Sequence, residues 1–134
     1  MASFKLDIVT PEKTVYSGAV RHVQAPGSEG SFGVLSGHVP FLTSLDVGLL
    51  RIDEDGGARV KMAISGGFAQ VAPQGVTVLA ETAERPEQIN VDRARSARER
   101  AEGRLGDTSG EVDAARARAA LARAVNRLKV SGQI

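Results

Sequence analysis

Apolar and polar residues alternate with a period of two over several short segments in the first two thirds of the chain. In FKLDIV, residues 4–9, the side chains of Phe4, Leu6 and Ile8 share one side of an extended chain, with charged residues between them. This alternation is typical of a half-buried β-strand. We therefore predict a strand over residues 4–9, followed by further short strands.

Two later segments have the pattern of a β-hairpin. Residues 47–65 contain two apolar runs around DGG at 55–57, and residues 67–81 contain two runs around PQG at 73–75. Asp and Gly tolerate the positive φ angles of tight hairpin turns. No helical pattern separates these strands, as parallel pairing would require, so we predict an antiparallel β-sandwich or barrel.

After residue 89 the apolar spacing changes to the three- and four-residue steps of a helix. Over residues 90–105 one face is alanine-rich, Asn90 is suited to cap the start, and Asp92 lies in the first turn. We predict a first helix here. Its apolar face consists of Ala94, Ala97, Ala101 and Leu105.

A second helix is predicted over residues 111–130. Gly106 and Gly110 interrupt the first helix, and Thr108 with Glu111 has the spacing of a capping box. Alanine seams bury little area, at roughly 25 cal/mol per Å² of apolar surface, so we predict an antiparallel helical hairpin that is held weakly and can move. The second seam consists of Ala114, Ala117, Leu121, Ala124 and Leu128.

The composition changes at the same place. Residues 1–89 hold seven Lys/Arg and ten Asp/Glu, a net charge of −3, whereas residues 90–134 hold ten and six, a net charge of +4. Eleven of the 15 glycines and all five prolines precede residue 90. We predict two domains, a β-sandwich over 1–89 and a helical hairpin over 90–134.

The sequence contains only weak candidates for a catalytic, phosphate-binding or metal-binding site. Ser65 lies in AISGG, which lacks the first glycine of the G-x-S-x-G nucleophile elbow, and GSEGSFG at 27–33 lacks the lysine ending of a phosphate-binding loop. His22 and His38 lack metal-ligand spacing, and the acidic residues 53–55 suit a solvated hairpin apex. The chain has no cysteine and no apolar run long enough to span a bilayer. Lys5, Asp7 and Glu12 interrupt the apolar segment that a secretory signal needs, so we expect no export. We predict a soluble protein with no catalytic residue and no metal site.

Basic residues concentrate on the second predicted helix. Their usual interpretation is a solvated face opposite the alanine seam, and the alternative is a surface for an acidic protein or a nucleotide phosphate. Nucleic acid is disfavoured because the first domain is acidic and none of the five aromatic residues lies in the helical part. The basic residues are Arg116, Arg118, Arg123, Arg127 and Lys129.

Residues 27–52, residues 64–81 and the closing Ala/Arg-rich hairpin resemble the epsilon subunit of bacterial and chloroplast F-type ATP synthases. The most specific parts are GVL at 33–35 with GHVP at 37–40, and SGGF at 65–68. The resemblance covers essentially the whole chain and implies a ten-stranded β-sandwich followed by a two-helix hairpin. It assigns GVLSGHVPFLTSL, which looks like an active-site loop, to architecture and rotor contact.

The resemblance also implies a role. The sandwich of an epsilon subunit binds the gamma subunit and the membrane rotor c-ring, and so couples ion-driven rotation to ATP synthesis without carrying out chemistry. Its hairpin, in an extended state, reaches the catalytic beta and alpha subunits and inhibits ATP hydrolysis. We expect partner contacts at His38, Arg116 and Arg118. The implied location is peripheral, on the cytoplasmic face of the energy-coupling membrane, either a bacterial plasma membrane or a thylakoid.

Some epsilon subunits bind ATP on the hairpin through an (Ile/Leu)-Asp-x-x-Arg-Ala motif. Here residues 89–94 read INVDRA, so an amide replaces the acid. No cofactor is required, and the missing charge predicts weak or absent ATP binding. In the other interpretation Asn90 is only an N-cap and the arginines are only solvated. The candidate contacts are Glu84, Ile89, Asn90, Arg93, Ala94, Arg123 and Arg127.

The composition also permits a different class of protein. A stand-alone β-sandwich that binds a small ligand, with a helical hairpin for dimerisation, has the same pattern of strands and helices. That alternative predicts a stable homodimer through the alanine seam, whereas an epsilon subunit is monomeric alone and pairs with gamma.

Overall fold

The computed structural model describes residues 2–107, 109–110 and 112–134. The chain divides into two compact units, of which the first ends at Arg85 and the second begins at Pro86. The first unit is built from β-strands, and the second consists of a short 3₁₀ turn and two helices.

The described part of the first unit contains seven strands. The alternating segment at the amino end forms β1, and the two predicted hairpins are β4 with β5 and β5 with β6. The strands are β1 (Phe4–Val9), β2 (Thr14–Gly27), β3 (Gly30–Leu35), β4 (Phe41–Glu54), β5 (Arg59–Ala72), β6 (Gly75–Ala80) and β7 (Ala83–Glu84).

The sheet closes on itself. Its strand order is β1-β6-β5-β4-β2, and β1 also pairs with β2, while β3 extends from β2 and β7 pairs with β5. All pairs are antiparallel except β1 with β6, which is parallel. The predicted β-sandwich class is confirmed, although one of its pairs departs from the expected antiparallel arrangement.

The predicted count of ten strands is wrong, because three strands are long enough to run through bends without ending. β2, β4 and β5 have 14 residues each. β5 bends at Gly66 and Gly67, whose φ angles are +89° and +128°. A Cβ at Gly67 would collide with the carbonyl oxygen of Leu79, so glycine is required where the sheet turns sharply.

The core of the first unit follows the period-two pattern. Leu6 and Ile8 of β1 are fully buried, as predicted, and Phe4 packs against the same cluster at partial exposure. Apolar side chains of this size contribute about 1.5–3 kcal/mol each when buried. The largest buried members from other strands are Val20, Val23, Val34, Leu50, Ile52, Met62, Ile64 and Val78.

The second unit is a helical hairpin. After the 3₁₀ turn Pro86–Gln88, α1 spans Val91–Leu105 and α2 spans Ala114–Val130. The predicted apolar faces are confirmed in their centres, where Ala94, Ala101, Ala117, Ala124 and Leu128 are buried.

The ends of the predicted helices need two corrections. Leu105 at the end of α1 is 36% exposed and Ala114 at the start of α2 is exposed, so neither belongs to a buried seam. α2 begins at Ala114, not at residue 111, because the Asp113 side chain accepts a 3.1 Å hydrogen bond from the backbone N–H of Arg116 and caps the helix there. The capping box predicted from Thr108 and Glu111 lies outside the described residues.

Candidate functional site

The segment that resembled an active-site loop connects β3 to β4 at one end of the first unit. His38 is exposed, and its ring lies 5.9 Å from that of Phe41, centroid to centroid. The neighbouring Leu35 and Val39 are 54% and 76% exposed. Exposed apolar side chains around an unburied histidine fit contact with a partner better than catalysis.

The other weak candidates for a catalytic or metal-binding role, Ser65 and His22, make contacts that support the β-sheet. Ser65 is buried in β5, where its hydroxyl shares a hydrogen bond with that of Thr82. His22 Nδ1 lies 3.4 Å from Asp53, which also pairs with Arg59. Among the described residues, no group of three or more His, Cys, Asp and Glu side chains is placed to hold a metal ion.

An outward face of the sheet carries large apolar side chains. Phe68 of β5 lies in register with Leu79 of β6, and the two are 53% and 50% exposed. Leu42 of β4, 69% exposed, pairs with the next outward residue of β5, Gln70. We call Leu42, Phe68 and Leu79 the apolar patch. Clustered exposed apolar residues of this size mark interaction surfaces.

Asn90 caps the start of α1. Its side-chain oxygen accepts a 3.0 Å hydrogen bond from the backbone N–H of Arg93, as predicted. The neighbouring motif residues Ile89 and Ala94 are buried, at 7% and 4% exposure, whereas the Arg93 side chain is exposed. The motif therefore presents the Asn90 and Arg93 side chains, while its apolar members hold the helix start in place.

The two helices run antiparallel, which brings the start of α1 beside the end of α2. Arg95 Nη2 donates a 2.7 Å hydrogen bond to Oε1 of Gln133, just beyond α2. Arg123 and Arg127 lie four residues apart on α2 and are both half-buried. The structure thus places Arg93 at the same end of the hairpin as Arg127. Glu84 lies in β7 of the first unit, in register with Ala63 of β5.

The predicted partner contacts on α2 lie in its first turns. Arg116 and Arg118 are both exposed, directly after the Asp113 cap. Their side chains lie on the two flanks of the buried Ala117 and both reach solvent.

One polar cluster was not predicted from the sequence. The Tyr16 hydroxyl donates a 2.6 Å hydrogen bond to Glu54, and the Arg85 guanidinium carbon lies 6.0 Å from the centre of the Tyr16 ring. Burial and the neighbouring carboxylate raise the pKa of Tyr16 to about 12. No sequence motif could have identified this cluster, because Tyr16 and Arg85 are 69 residues apart in the chain.

Two family models together span nearly the whole chain. The one described as "ATP synthase, Delta/Epsilon chain, beta-sandwich domain" matches residues 3–86, and the one described as "ATP synthase, Delta/Epsilon chain, long alpha-helix domain" matches residues 87–132. The chain belongs to the delta/epsilon chain family of ATP synthases. The family recognised from GVL, GHVP and SGGF is thereby confirmed.

Individual members of the family are similar over their full length. The ATP synthase epsilon chain of Desulforamulus reducens is 49% identical over 127 residues, 95% of this chain and 96% of that one. The epsilon chain of Nitratidesulfovibrio vulgaris is 52% identical over 130 residues, 97% of this chain and 96% of that one. Delta/epsilon chains are not the catalytic subunits of the synthase, so the prediction that this chain is not an enzyme is confirmed.

A solved assembly contains a chain of the same fold. A chain in the Euglena gracilis mitochondrial ATP synthase, solved with OSCP, F1 and the c-ring, superposes with a TM-score of 0.80 and 26% identity, covering 91% of this chain and 77% of that one. As a delta/epsilon chain, this protein is a peripheral component of the membrane-bound synthase.

Within the part of the chain that the structure describes, no helix has both the length and the apolar character needed to cross a bilayer.

Proposed function

We propose that this chain is the central-stalk epsilon subunit of an F-type ATP synthase, in which the β-sandwich binds gamma and the c-ring and the helical hairpin inhibits ATP hydrolysis. The proposal rests on family membership and on one structural observation in particular. That observation is the apolar patch, because a stalk subunit without chemistry of its own must act through the surfaces it offers to neighbours.

The apolar patch has the properties of a partner-binding surface. Phe68 and Leu79 lie directly opposite each other on neighbouring strands, and each keeps about half of its surface in water. Aromatic and large aliphatic side chains at the centre of an interface contribute most of the binding energy. We assign the patch to gamma, and the exposed loop around His38 to the c-ring.

The hairpin has the properties of a movable regulator. The buried positions of α1 are both alanines, Ala94 and Ala101, and alanine buries little surface. Two arrangements of such a hairpin can therefore differ by only a few kcal/mol. The exposed Arg116 and Arg118 are suited to meet acidic surface on the beta and alpha subunits.

ATP binding by the hairpin is weak or absent in this proposal. Arg93, Arg123 and Arg127 supply the cationic half of a nucleotide site, but Asn90 supplies no charge and its oxygen is occupied by the helix cap. Charge-assisted hydrogen bonds are roughly twice as strong as neutral ones.

We place the subunit on the cytoplasmic face of the energy-coupling membrane.

The test measures the molar mass of the chain alone and with purified gamma, by size-exclusion chromatography with light scattering. A double variant, Phe68→Ser with Leu79→Ser, removes the apolar patch from exposed positions. Ile134→Ser is the matched control, since that side chain is 58% exposed but lies at the carboxyl terminus.

We expect a monomer alone, a one-to-one complex with gamma, and at least a thirtyfold weaker complex for the double variant, because two interface anchors each contribute more than about 1 kcal/mol. The control should bind as the unmodified chain does. A stable homodimer that does not bind gamma would contradict the proposal and support the stand-alone binding module.

A further inference from the structure

A groove on the outer face of β2, β4 and β5 is not used by the proposed function. Its volume is about 520 Å³, and its floor is formed by outward-facing residues of three adjacent strands. The opposite faces of the same strands carry Val23, Leu50 and Met62, which are buried in the core. The polar residues that line it are His22, Gln24, Arg51, Asp53, Arg59 and Lys61.

The polar side chains of the groove are arranged in two cross-strand rows. In the first row Asp53 lies opposite both His22 and Arg59. Asp53 is 3.4 Å from His22 Nδ1 and 3.1 Å from Arg59 Nε, so the acid of the groove is already paired. In this row the Asp53 carboxylate pairs with the Arg59 guanidinium and lies beside the His22 ring.

The second row is not balanced. Arg51 lies in register with Gln24 on one side and with Lys61 on the other. Like charges directly opposite each other on neighbouring antiparallel strands destabilise a sheet. Among the described residues, neither the Arg51 nor the Lys61 side chain has an acidic partner within 4.0 Å.

The concentration of Lys and Arg side chains in this groove contrasts with the acidic character of the domain around it. Residues 1–89 contain ten acids and only seven Lys/Arg, yet three of those seven line one groove with a single acid. Cations spread evenly over an acidic domain would find acidic neighbours. Here Arg51 and Lys61 lie opposite each other on adjacent strands, and the one acid that lines the groove is paired with Arg59 instead.

We propose that this groove binds a small phosphate-bearing anion, with a diphosphate group lying between Arg51 and Lys61. The guanidinium of Arg51 can donate two parallel hydrogen bonds to phosphate oxygens, and the Lys61 ammonium supplies a second positive charge about one cross-strand spacing away. The anion offsets the repulsion between the two cations. The recessed shape favours a free anion over the flat surface of a membrane. All residues that line the groove belong to the first unit.

The experiment titrates the ¹⁵N-labelled full chain with pyrophosphate at low ionic strength and follows each backbone amide by NMR. The test variant is Arg51→Gln with Lys61→Gln. The matched control is Lys5→Gln with Lys13→Gln, which removes the same charge from exposed positions outside the groove. Site-resolved shifts distinguish the groove from the hairpin, so failure of this proposal and failure of the proposed function can be told apart.

We expect saturable shifts at the amides of β4 and β5, a loss of affinity of at least tenfold in the test variant, and a change of less than twofold in the control. Without the anion, the test variant should melt at a higher temperature than the unmodified chain, because the in-register repulsion is gone. Equal losses in both variants would show general charge attraction and overturn the proposal. Binding to phosphatidylglycerol vesicles without saturable binding of pyrophosphate would also overturn it, in favour of a lipid headgroup.

Discussion

The hydroxyl of Tyr16 on β2 donates a 2.6 Å hydrogen bond to Oε2 of Glu54 at the end of β4. Tyr16 is 7% exposed, and its ring and hydroxyl fix two strands that are also joined by the backbone ladder. The raised pKa of Tyr16, about 12, arises first from burial and then from this bond to the Glu54 carboxylate. A phenolate here would be both desolvated and beside a negative charge.

Tyr16 is the single tyrosine in a chain without tryptophan, so its ionisation can be followed directly by phenolate absorbance. We predict a midpoint near pH 12 in the folded protein and near the ordinary value of about 10 in urea. Tyr16 ionises at a lower pH in the unfolded chain than in the folded protein. Its contribution to the free energy of unfolding is therefore complete below pH 10 and is lost as the pH rises to 12. The free energy of unfolding should fall by up to about 3 kcal/mol across that window.

Tyr16→Phe supplies the control for this titration. The variant should lose about 1.5–3 kcal/mol of stability at neutral pH, the net value of a hydrogen bond to a charged group, and the tyrosine-dependent loss of stability between pH 10 and 12 should disappear. A native midpoint near 10 in the unmodified protein would contradict the described packing of Tyr16.

The role of Asn90 can be tested by a substitution that keeps the helix cap. Asn and Asp are about equally good N-caps, so Asn90→Asp should leave the melting temperature nearly unchanged while restoring the missing charge. We predict that calorimetry detects weak or no ATP binding to the unmodified chain and about tenfold tighter binding to the variant.

Asn90→Ser is the matched control for that substitution, since serine also caps but carries no charge. It should bind ATP no better than the unmodified chain. If Asn90→Asp fails to improve binding, Asn90 has the capping role alone. Tight binding by the unmodified chain would contradict the proposed weakness of the site.

The arginines of α2 predict a salt-sensitive inhibition. Replacing Arg116, Arg118, Arg123 and Arg127 with alanine keeps helix propensity high and removes four charges. We expect severalfold weaker inhibition of ATP hydrolysis in the reconstituted complex, with less dependence on ionic strength, because screening acts on charge pairs. Full inhibition by the neutral helix would show that the bulk of the hairpin is sufficient.

Much of the fold could be predicted from local patterns. The alternation of FKLDIV and the DGG turn determine β1 and the β4–β5 hairpin, and the spacing of Ala94 and Ala101 identifies the buried face of α1. These elements depend on residues close in sequence. The strand count could not be obtained this way, because Gly66 and Gly67 look like a strand end but let β5 bend and continue.

The candidate surfaces were harder to predict, for a physical reason. The apolar patch and the groove that contains Arg51 and Lys61 depend on which outward-facing residues lie opposite each other on neighbouring strands. That register is set by the closed sheet as a whole. Arg51 and Lys61 are unremarkable in sequence, and their opposition appears only in the β4–β5 ladder. The nucleotide motif was visible because its members are local to the start of α1.

The hairpin's regulatory role is tested most directly by the rate of ATP hydrolysis in a complex reconstituted with the full chain or with a chain that ends at Ile89. The first unit holds the strand core, so we expect the shortened chain to fold and to bind gamma as tightly as the full chain, which the mass measurement checks first. With equal incorporation, we expect severalfold faster hydrolysis with the shortened chain. Equal rates in the two complexes would contradict it.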